Sequence, residues 1–202
     1  MKGLLLKDLY TLAKQMRLFM LLIALFACIP GYSLPAFAVV YAAMLPFTAL
    51  AYDERARWDE LAATMPYSTR RIVWSKYLLG GIFIAAAMTL LLAAQLVTAL
   101  AQRAPFSPES ACLILSFGAV ALTMQAINLP LIFRLGSEKG RFAFMLLIVV
   151  VAAAIGLGEA LEFPAPGRIN LPAITAAALL AALALTAASA SLSERLYRRR
   201  RA

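Results

Sequence analysis

Long apolar runs separated by short polar segments dominate this chain. The apolar runs cover residues 18–51, 72–101, 111–133, 142–158 and 171–192. A helix that crosses a membrane needs about 20 mostly apolar residues, and a turn-forming sequence at residues 30–35 divides the first run. The pattern therefore predicts an all-α integral membrane protein with six transmembrane helices.

The first apolar run leaves two arrangements open. Residues 18–29 are shorter than a full membrane span. Either the first helix begins earlier, with Lys14 and Arg17 reaching toward the head groups, or residues 18–51 form a re-entrant hairpin. Both arrangements return the chain to the same side of the membrane.

The longest polar segment, residues 52–77, lies between the predicted second and third spans and is dense in acids and bases. Within it Trp58, Leu61, Ala62 and Met65 recur at the spacing of one helical face. Pro66 ends that helix, and Ser68 or Thr69 can cap the next one. The segment therefore predicts a short amphipathic helix between two spans, ending before Pro66. We call this helix the handle, because its position allows it to bind a partner outside the membrane.

The first 17 residues predict a second amphipathic helix, lying at the membrane surface. Its apolar face is formed by Leu5, Leu9, Leu12, Ala13 and Met16, and most of its polar residues lie elsewhere, namely Lys7, Asp8, Thr11, Lys14 and Gln15. A secretory signal peptide is the alternative. It is disfavoured because charges continue to Arg17 and further apolar runs follow.

The distribution of charge predicts the orientation. All but two of the 19 Lys and Arg residues lie in residues 1–17, 52–77, 134–141 and 193–202, and Arg103 and Arg168 are the exceptions. Basic loops stay in the cytoplasm, so both termini and both polar loops are predicted to be cytoplasmic. The net charge of +9 is accordingly expected to face phospholipid head groups rather than nucleic acid.

The sequence offers little catalytic chemistry. It contains no histidine and no phosphate-binding G-x-x-x-x-G-K-[ST] loop, and Cys28 and Cys112 both lie in apolar runs, so no metal site and no cofactor bound by this chain are expected. The predicted spans carry uncharged polar groups, chiefly Gln95, Gln125 and Asn128, which either bond helices together or line a substrate path. Without ionisable groups there, an ion-coupled carrier is disfavoured and a separate ATPase is favoured as the energy source.

Glycines at positions 80 and 81 in the predicted third span either allow the helix to bend or allow close helix packing.

Two segments resemble those of small type-2 ABC exporter permeases, in the subgroup of the phenol-soluble modulin and antimicrobial peptide exporters. The first resemblance is carried by Tyr52, Asp53, Glu54, Trp58, Met65, Pro66, Ser68, Arg70, Ile72, Val73, Ser75, Lys76 and Tyr77. The second is carried by Leu129, Pro130, Leu131, Phe133, Gly136, Glu138, Lys139, Gly140 and Arg141. Length and topology are similar over the whole chain.

The resemblance implies a single permease domain over residues 1–202. Residues 1–17 would be its elbow helix, 52–71 a cytoplasmic coupling loop that docks on an ATPase subunit, 134–141 a second cytoplasmic loop, and 193–202 a basic tail. The implied coupling residues are Tyr52, Asp53, Glu54, Arg57, Trp58, Leu61, Met65, Pro66, Arg70 and Arg71. In the second loop, Gly136, Glu138, Lys139 and Arg141 would contact the ATPase or pair with the first loop.

Alternatives remain for parts of this assignment. The stripe that contains Trp58 can instead pack on the protein's own helix ends, and Arg70 and Arg71 can serve only as topology anchors.

The expected function is that of a permease subunit in the bacterial cytoplasmic membrane, exporting amphipathic or antimicrobial peptides. It would pair with a second permease, identical or homologous, and with two copies of a cytoplasmic ATPase that bind ATP and Mg²⁺. The alternative is a membrane immunity or sensor protein that binds a toxin without transporting it.

Overall fold

The computed structural model describes residues 3–12, 17, 21, 33–65, 67–101, 108–136, 139–140, 142, 145–146, 148–150, 153 and 170–201, and the regular secondary structure among them is all helical. We label the helices α1 (residues 3–12), α2 (Ser33–Arg55), α3 (Trp58–Thr64), α4 (Thr69–Ala101), α5 (Pro108–Leu135) and α6 (Leu171–Arg201). The described positions from 139 to 153 are also helical. The prediction of an all-α protein is confirmed for the described part of the chain.

Three helices in the described part are long and apolar enough to cross a membrane. They are Thr69–Ala101, Pro108–Leu135 and Leu171–Arg198, which correspond to the predicted third, fourth and sixth spans. The predicted first span and most of the loop before the sixth lie outside the described residues. The count of six spans therefore stays a prediction.

Small side chains allow the helices to pack closely. Helix α5 contacts α2, α4 and α6, and α2 also packs along α4. Alanines of α2, such as Ala42 and Ala49, are buried in a core with Leu79, Phe83 and Ala87 of α4. A second core lies where α2 and α5 end and α4 begins, and we call this end of the bundle the basic end.

The second core is formed by residues from five helices. Its buried members are Leu4, Ala62, Ile72, Val73, Tyr77, Leu129, Phe133, Ala190 and Tyr197. The rings of Phe133 and Tyr197 meet edge to face with centroids 5.5 Å apart. This contact fixes the tail of α6 against α5, so the predicted basic tail continues the last membrane helix rather than leaving it at residue 192.

Helix α1 packs into the bundle through a stripe that differs from the predicted apolar face. Leu4, Asp8 and Leu12 are all buried, and they recur every four residues along one side of the helix. Leu12 belongs to the first core, whereas Tyr10 is exposed. The sequence pattern predicted that Asp8 lies away from the apolar face of the helix. The structure buries it because its carboxylate has partners inside the bundle.

Candidate functional site

A single residue in a left-handed conformation turns the chain from α2 into the short helix α3. Arg57 has φ 48° and ψ 38°, a region that costs a residue with a β-carbon about 1–2 kcal/mol. The Arg57 N–H donates to the Glu54 carbonyl at 3.2 Å, and the Arg57 carbonyl accepts from the Glu60 N–H at 3.1 Å. Helix α3 therefore follows α2 through a defined turn rather than a loose loop.

The far end of α3 follows the sequence prediction. The helix ends at Thr64, and Met65 is extended with ψ 153°, as expected for a residue that precedes proline. Pro66 itself lies outside the described residues. Ser68 accepts the Arg71 N–H with its carbonyl at 2.9 Å and with its Oγ at 3.4 Å, so the predicted serine cap of α4 is confirmed.

The predicted apolar stripe of α3 is only partly buried, because two of its residues face the bundle and two face outward. Ala62 is buried and Trp58 is half-buried against the second core. Leu61, which is 52% exposed, and Met65 face outward. Trp58 thus packs on the protein's own helix ends, which was the alternative for this residue, whereas Leu61 and Met65 form an uncovered apolar surface on the handle.

A buried group of charges lies directly beneath α3. The Lys76 Nζ donates to both oxygens of the Asp8 carboxylate, at 2.8 and 2.7 Å, and to Asp53 Oδ2 at 2.6 Å. Asp8 is only 1% exposed and Lys76 only 2%. Charges at this depth are tolerated only when they are paired and hydrogen-bonded, and here one ammonium group satisfies two carboxylates from two helices.

Lys7 completes this group. Its Nζ donates to Asp53 Oδ1 and lies 3.2 Å from Asp8 Oδ1. The same Nζ is 4.1 Å from the ring centroid of Trp58, within the range of a cation–π interaction. The two lysines balance the two aspartates. We call Lys7, Asp8, Asp53 and Lys76 the ion cluster, and it joins α1, α2 and α4 beneath α3.

The sequence did not assign a site to Lys7, Asp8 and Lys76 together. The available signal was the position of Asp8, which stands four residues from both Leu4 and Leu12 in the stripe that proves to be buried. A charge in an apolar stripe requires a buried partner of opposite sign. Which lysine supplies it is decided by the packing of helices that are far apart in sequence.

A cavity of about 30 Å³ adjoins the ion cluster, which is room for one or two water molecules. Its lining comprises Leu50, Asp53, Glu54, Trp58, Ile72, Lys76, Ile132, Phe133, Gly136 and Tyr197. These residues come from the first polar segment, α5 and α6, so all three regions meet at this cavity beside α3.

The second polar loop touches the first through Gly136. This residue ends α5 with φ 86°, and its N–H donates to the Ile132 carbonyl at 2.8 Å. A β-carbon at this position would lie 3.0 Å from Glu54 Oε1. Lys139 is exposed, whereas Glu138 and Arg141 lie outside the described residues.

Replacement of Gly136 by alanine is expected to destabilise the protein by about 1–2 kcal/mol, because alanine is strained at positive φ. Crowding against Glu54 adds to that cost. Thermal unfolding in detergent measures the change. Gly136→Asn is the matched variant, since asparagine tolerates this backbone conformation better and isolates the crowding. An alanine variant as stable as the unchanged protein would contradict the assigned strain.

The remaining predicted coupling residues are distributed around the handle. Tyr52, Glu54, Arg57, Arg70 and Arg71 are exposed. Asp53 is turned inward to the two lysines, with its side chain 13% exposed. Asp53 therefore helps to anchor α3 through the ion cluster, whereas the exposed residues remain accessible at the basic end.

The three amides predicted either to bond helices together or to line a substrate path lie at different positions along the bundle. Gln125 and Asn128 are buried on α5, and the Gln125 Nε2 donates to the Tyr77 carbonyl at 3.0 Å. Gln95 follows Tyr77 along α4 by 18 residues, or about 27 Å of helix. All three side-chain oxygens are buried without a hydrogen-bond partner.

Polar groups of the bundle interior instead join helices. The Tyr77 hydroxyl lies 2.7 Å from Ser189 Oγ and 2.8 Å from Ser193 Oγ. Ser189 in turn donates to the Ala126 carbonyl. This chain of hydrogen bonds links α4, α6 and α5 just inside the basic end, and together with Gln125 it supports the helix-bonding interpretation of the interior polar residues.

Glycine 80 has the close-packing role that the sequence offered as one alternative. A β-carbon at Gly80 would lie 2.5 Å from the Gln125 Nε2, whereas one at Gly81 would have no neighbour within 4 Å. Only the first glycine is therefore required by packing.

These features define a multi-span helical membrane protein whose basic end carries a rigid handle anchored on a buried ion cluster. The family described as ABC-2 family transporter protein matches residues 3–198. The chain therefore belongs to the ABC-2 family, as a transmembrane permease component. Permeases of this family generally pair with an ATPase subunit. No curated protein and no solved structure matches the chain significantly.

Proposed function

We propose that this chain is the permease subunit of an ATP-driven exporter of amphipathic peptides, and that α3 is the coupling helix that receives the movement of the ATPase. The observation that carries the proposal is the division of α3 into two sides. Ala62 and Trp58 anchor it inward, while Leu61 and Met65 leave an apolar surface facing outward. Such an exposed pair on a rigid helix suits a groove on a partner protein.

The ion cluster gives α3 a mechanical connection to the membrane helices. Trp58 contacts Lys7 of α1, and Lys7 and Lys76 share Asp53 of α2. A displacement of α3 would therefore move α1, α2 and the start of α4 together rather than bend one loop. Coupling of this kind requires a contiguous set of packed and hydrogen-bonded groups, and the cluster supplies one.

The proposed orientation places the basic end in the cytoplasm. Both α1 and the end of α6 contribute to the second core, which is consistent with two termini on one side, and basic segments favour the cytoplasmic side. The proposed assembly contains a second permease and two ATPase subunits, and the ATPases bind ATP and Mg²⁺. The cargo class rests on the resemblance of residues 52–77 to peptide exporters.

The coupling role is tested by Leu61→Glu. The chain is co-expressed with its ATPase subunit, purified through the permease and reconstituted into liposomes for assays of ATP hydrolysis and peptide uptake. A charge in the apolar contact is expected to weaken ATPase binding at least tenfold, since burial of an unpaired carboxylate costs more than about 1.4 kcal/mol. The fold should persist because Leu61 is exposed.

Leu100→Glu is the matched control, since Leu100 is also exposed but lies at the opposite end of α4, away from both polar loops. It is expected to keep ATPase binding and peptide-stimulated hydrolysis. Equal binding of the ATPase by the two variants would rule out α3 as the coupling helix. A folded unchanged chain that binds toxin peptide but no ATPase would favour the immunity or sensor function.

A further inference from the structure

A second polar site lies at the foot of α4, on the face of the helix away from the ion cluster. An open pocket of about 400 Å³ is lined by Ser68, Arg70, Arg71 and Trp74. Both arginines are exposed, and within the described residues neither forms an ion pair with a carboxylate. The carboxylates of Asp8 and Asp53 are already paired with the two lysines of the ion cluster.

The pocket lies where the polar segment meets the apolar part of α4, which is the expected depth of lipid head groups. Arg70 and Arg71 immediately precede the apolar part of α4, which begins at Ile72, and Trp74 stands about one turn further in. Tryptophan at this position is typical of the membrane interface, where its ring is apolar and its N–H remains hydrated. Guanidinium groups at this depth are well suited to phosphate, because their planar donors bind its oxygens in pairs.

An apolar stripe continues from the pocket along the same face of α4. Leu78 and Ile82 follow Trp74 at intervals of four residues, so the three side chains lie one above the other. Both aliphatic residues are about half exposed in the structure. The stripe is an independent observation, since a free phosphate ion would need only the arginines, whereas a phospholipid needs a surface for its acyl chain as well.

We propose that this face of α4 binds one anionic phospholipid. The phosphate lies between Arg70 and Arg71 with the Ser68 hydroxyl as a further donor, the glycerol region packs on Trp74, and an acyl chain follows Leu78 and Ile82. The ligand class is a phospholipid with a net negative head group, such as phosphatidylglycerol. The site is separate from the apolar surface of α3, so it does not depend on the proposed coupling role.

Quenching of Trp74 fluorescence tests this site directly. The chain contains two tryptophans, and Trp58→Phe leaves Trp74 as the single reporter while keeping an aromatic ring beside Lys7. This variant is reconstituted into bilayers that contain brominated phosphatidylglycerol or brominated phosphatidylcholine. A preference of about thirtyfold for phosphatidylglycerol is expected from two bases near the membrane surface.

Arg70→Gln with Arg71→Gln, made in the Trp58→Phe chain, should abolish this preference. The matched control removes two exposed bases of the tail, Arg195→Gln with Arg198→Gln, and changes the net charge equally. It is expected to keep the preference. Equal quenching by the two lipids in the unaltered reporter chain would overturn the proposal, and so would equal loss of preference in the two double variants.

Two further outcomes would distinguish lipid binding from binding of free phosphate and from contact with the ATPase. Inorganic phosphate at millimolar concentration should not displace the brominated lipid, because it cannot use the apolar stripe. Complete displacement would mean that the arginines form a simple phosphate site. An Arg70 and Arg71 double variant that keeps its lipid preference but loses ATPase binding would assign these arginines to the protein partner instead.

Discussion

Replacement of Lys76 by alanine is expected to lower the free energy of unfolding by about 3–5 kcal/mol, the range observed when one partner of a buried ion pair is removed. Lys76 donates to Asp8 at 2.7 and 2.8 Å and to Asp53 at 2.6 Å. Without it, Lys7 alone would face two carboxylates, and Asp8 would stay almost fully buried. The excess negative charge is the main source of the expected destabilisation.

The measurement is thermal or denaturant unfolding in detergent, followed by circular dichroism. Arg198→Ala is the control, because Arg198 forms an exposed ion pair with Glu194 at 3.2 Å and is 70% exposed in its side chain. Exposed pairs of this kind contribute about 0.3–0.5 kcal/mol. A Lys76 variant no less stable than the Arg198 variant would show that the ion cluster does not hold the bundle together.

A double variant keeps this prediction testable if the single variant fails to fold. Lys76→Met with Asp8→Asn removes one charge of each sign and leaves Lys7 paired with Asp53. Removal of a complete buried pair is often nearly neutral, so the double variant should recover most of the stability lost by Lys76→Ala. No recovery would contradict charge balance as the source of the loss, because methionine keeps most of the packing of the lysine stem.

Gly80→Ala and Gly81→Ala are expected to have opposite effects although they are adjacent. At Gly80 the new methyl group would lie 2.5 Å from the Gln125 Nε2, so it would displace that amide and break its hydrogen bond to the Tyr77 carbonyl. A lost buried hydrogen bond costs about 1–3 kcal/mol. At Gly81 nothing is displaced, and alanine favours the helix over glycine by up to about 1 kcal/mol.

The two alanine variants should therefore differ in unfolding free energy by about 1–3 kcal/mol, because both gain the helix propensity of alanine and only Gly80→Ala loses the hydrogen bond. Unfolding of both variants in the same detergent provides the comparison. Gly80→Ala combined with Gln125→Ala makes room for the methyl group and is expected to reduce the penalty of the glycine change. Equal stability of the two single variants would contradict the close approach of α4 and α5 at Gly80.

The membrane helices were largely predictable because their signal is local. Burial of apolar side chains in lipid and exclusion of charge from it depend on composition over about 20 residues. The start of α4 at Thr69 differs from the predicted apolar boundary by three residues. The extension of α6 to Arg201 was missed, because the apolar pattern stops at residue 192 while Tyr197 still packs on Phe133.

The sequence predicted that α3 exists, but it did not predict which side of α3 packs on the bundle. The spacing of Trp58, Leu61, Ala62 and Met65 predicted a short helix, and Pro66 predicted its end. Spacing does not determine which side of so short a stripe meets the bundle. The left-handed turn at Arg57 sets that direction, and no residue type at this position indicates it, since arginine rarely adopts positive φ.

By itself the sequence determined that this is a membrane protein of a transporter family, where its charges concentrate, and that a short helix lies in its longest polar segment. These properties follow from short stretches of the chain. Only the tertiary structure decided that Asp8 and Lys76, 68 residues apart, pair inside the bundle and that Asp53 turns inward to them. Such pairing depends on the register between packed helices, and this register is set by contacts distributed over the whole core.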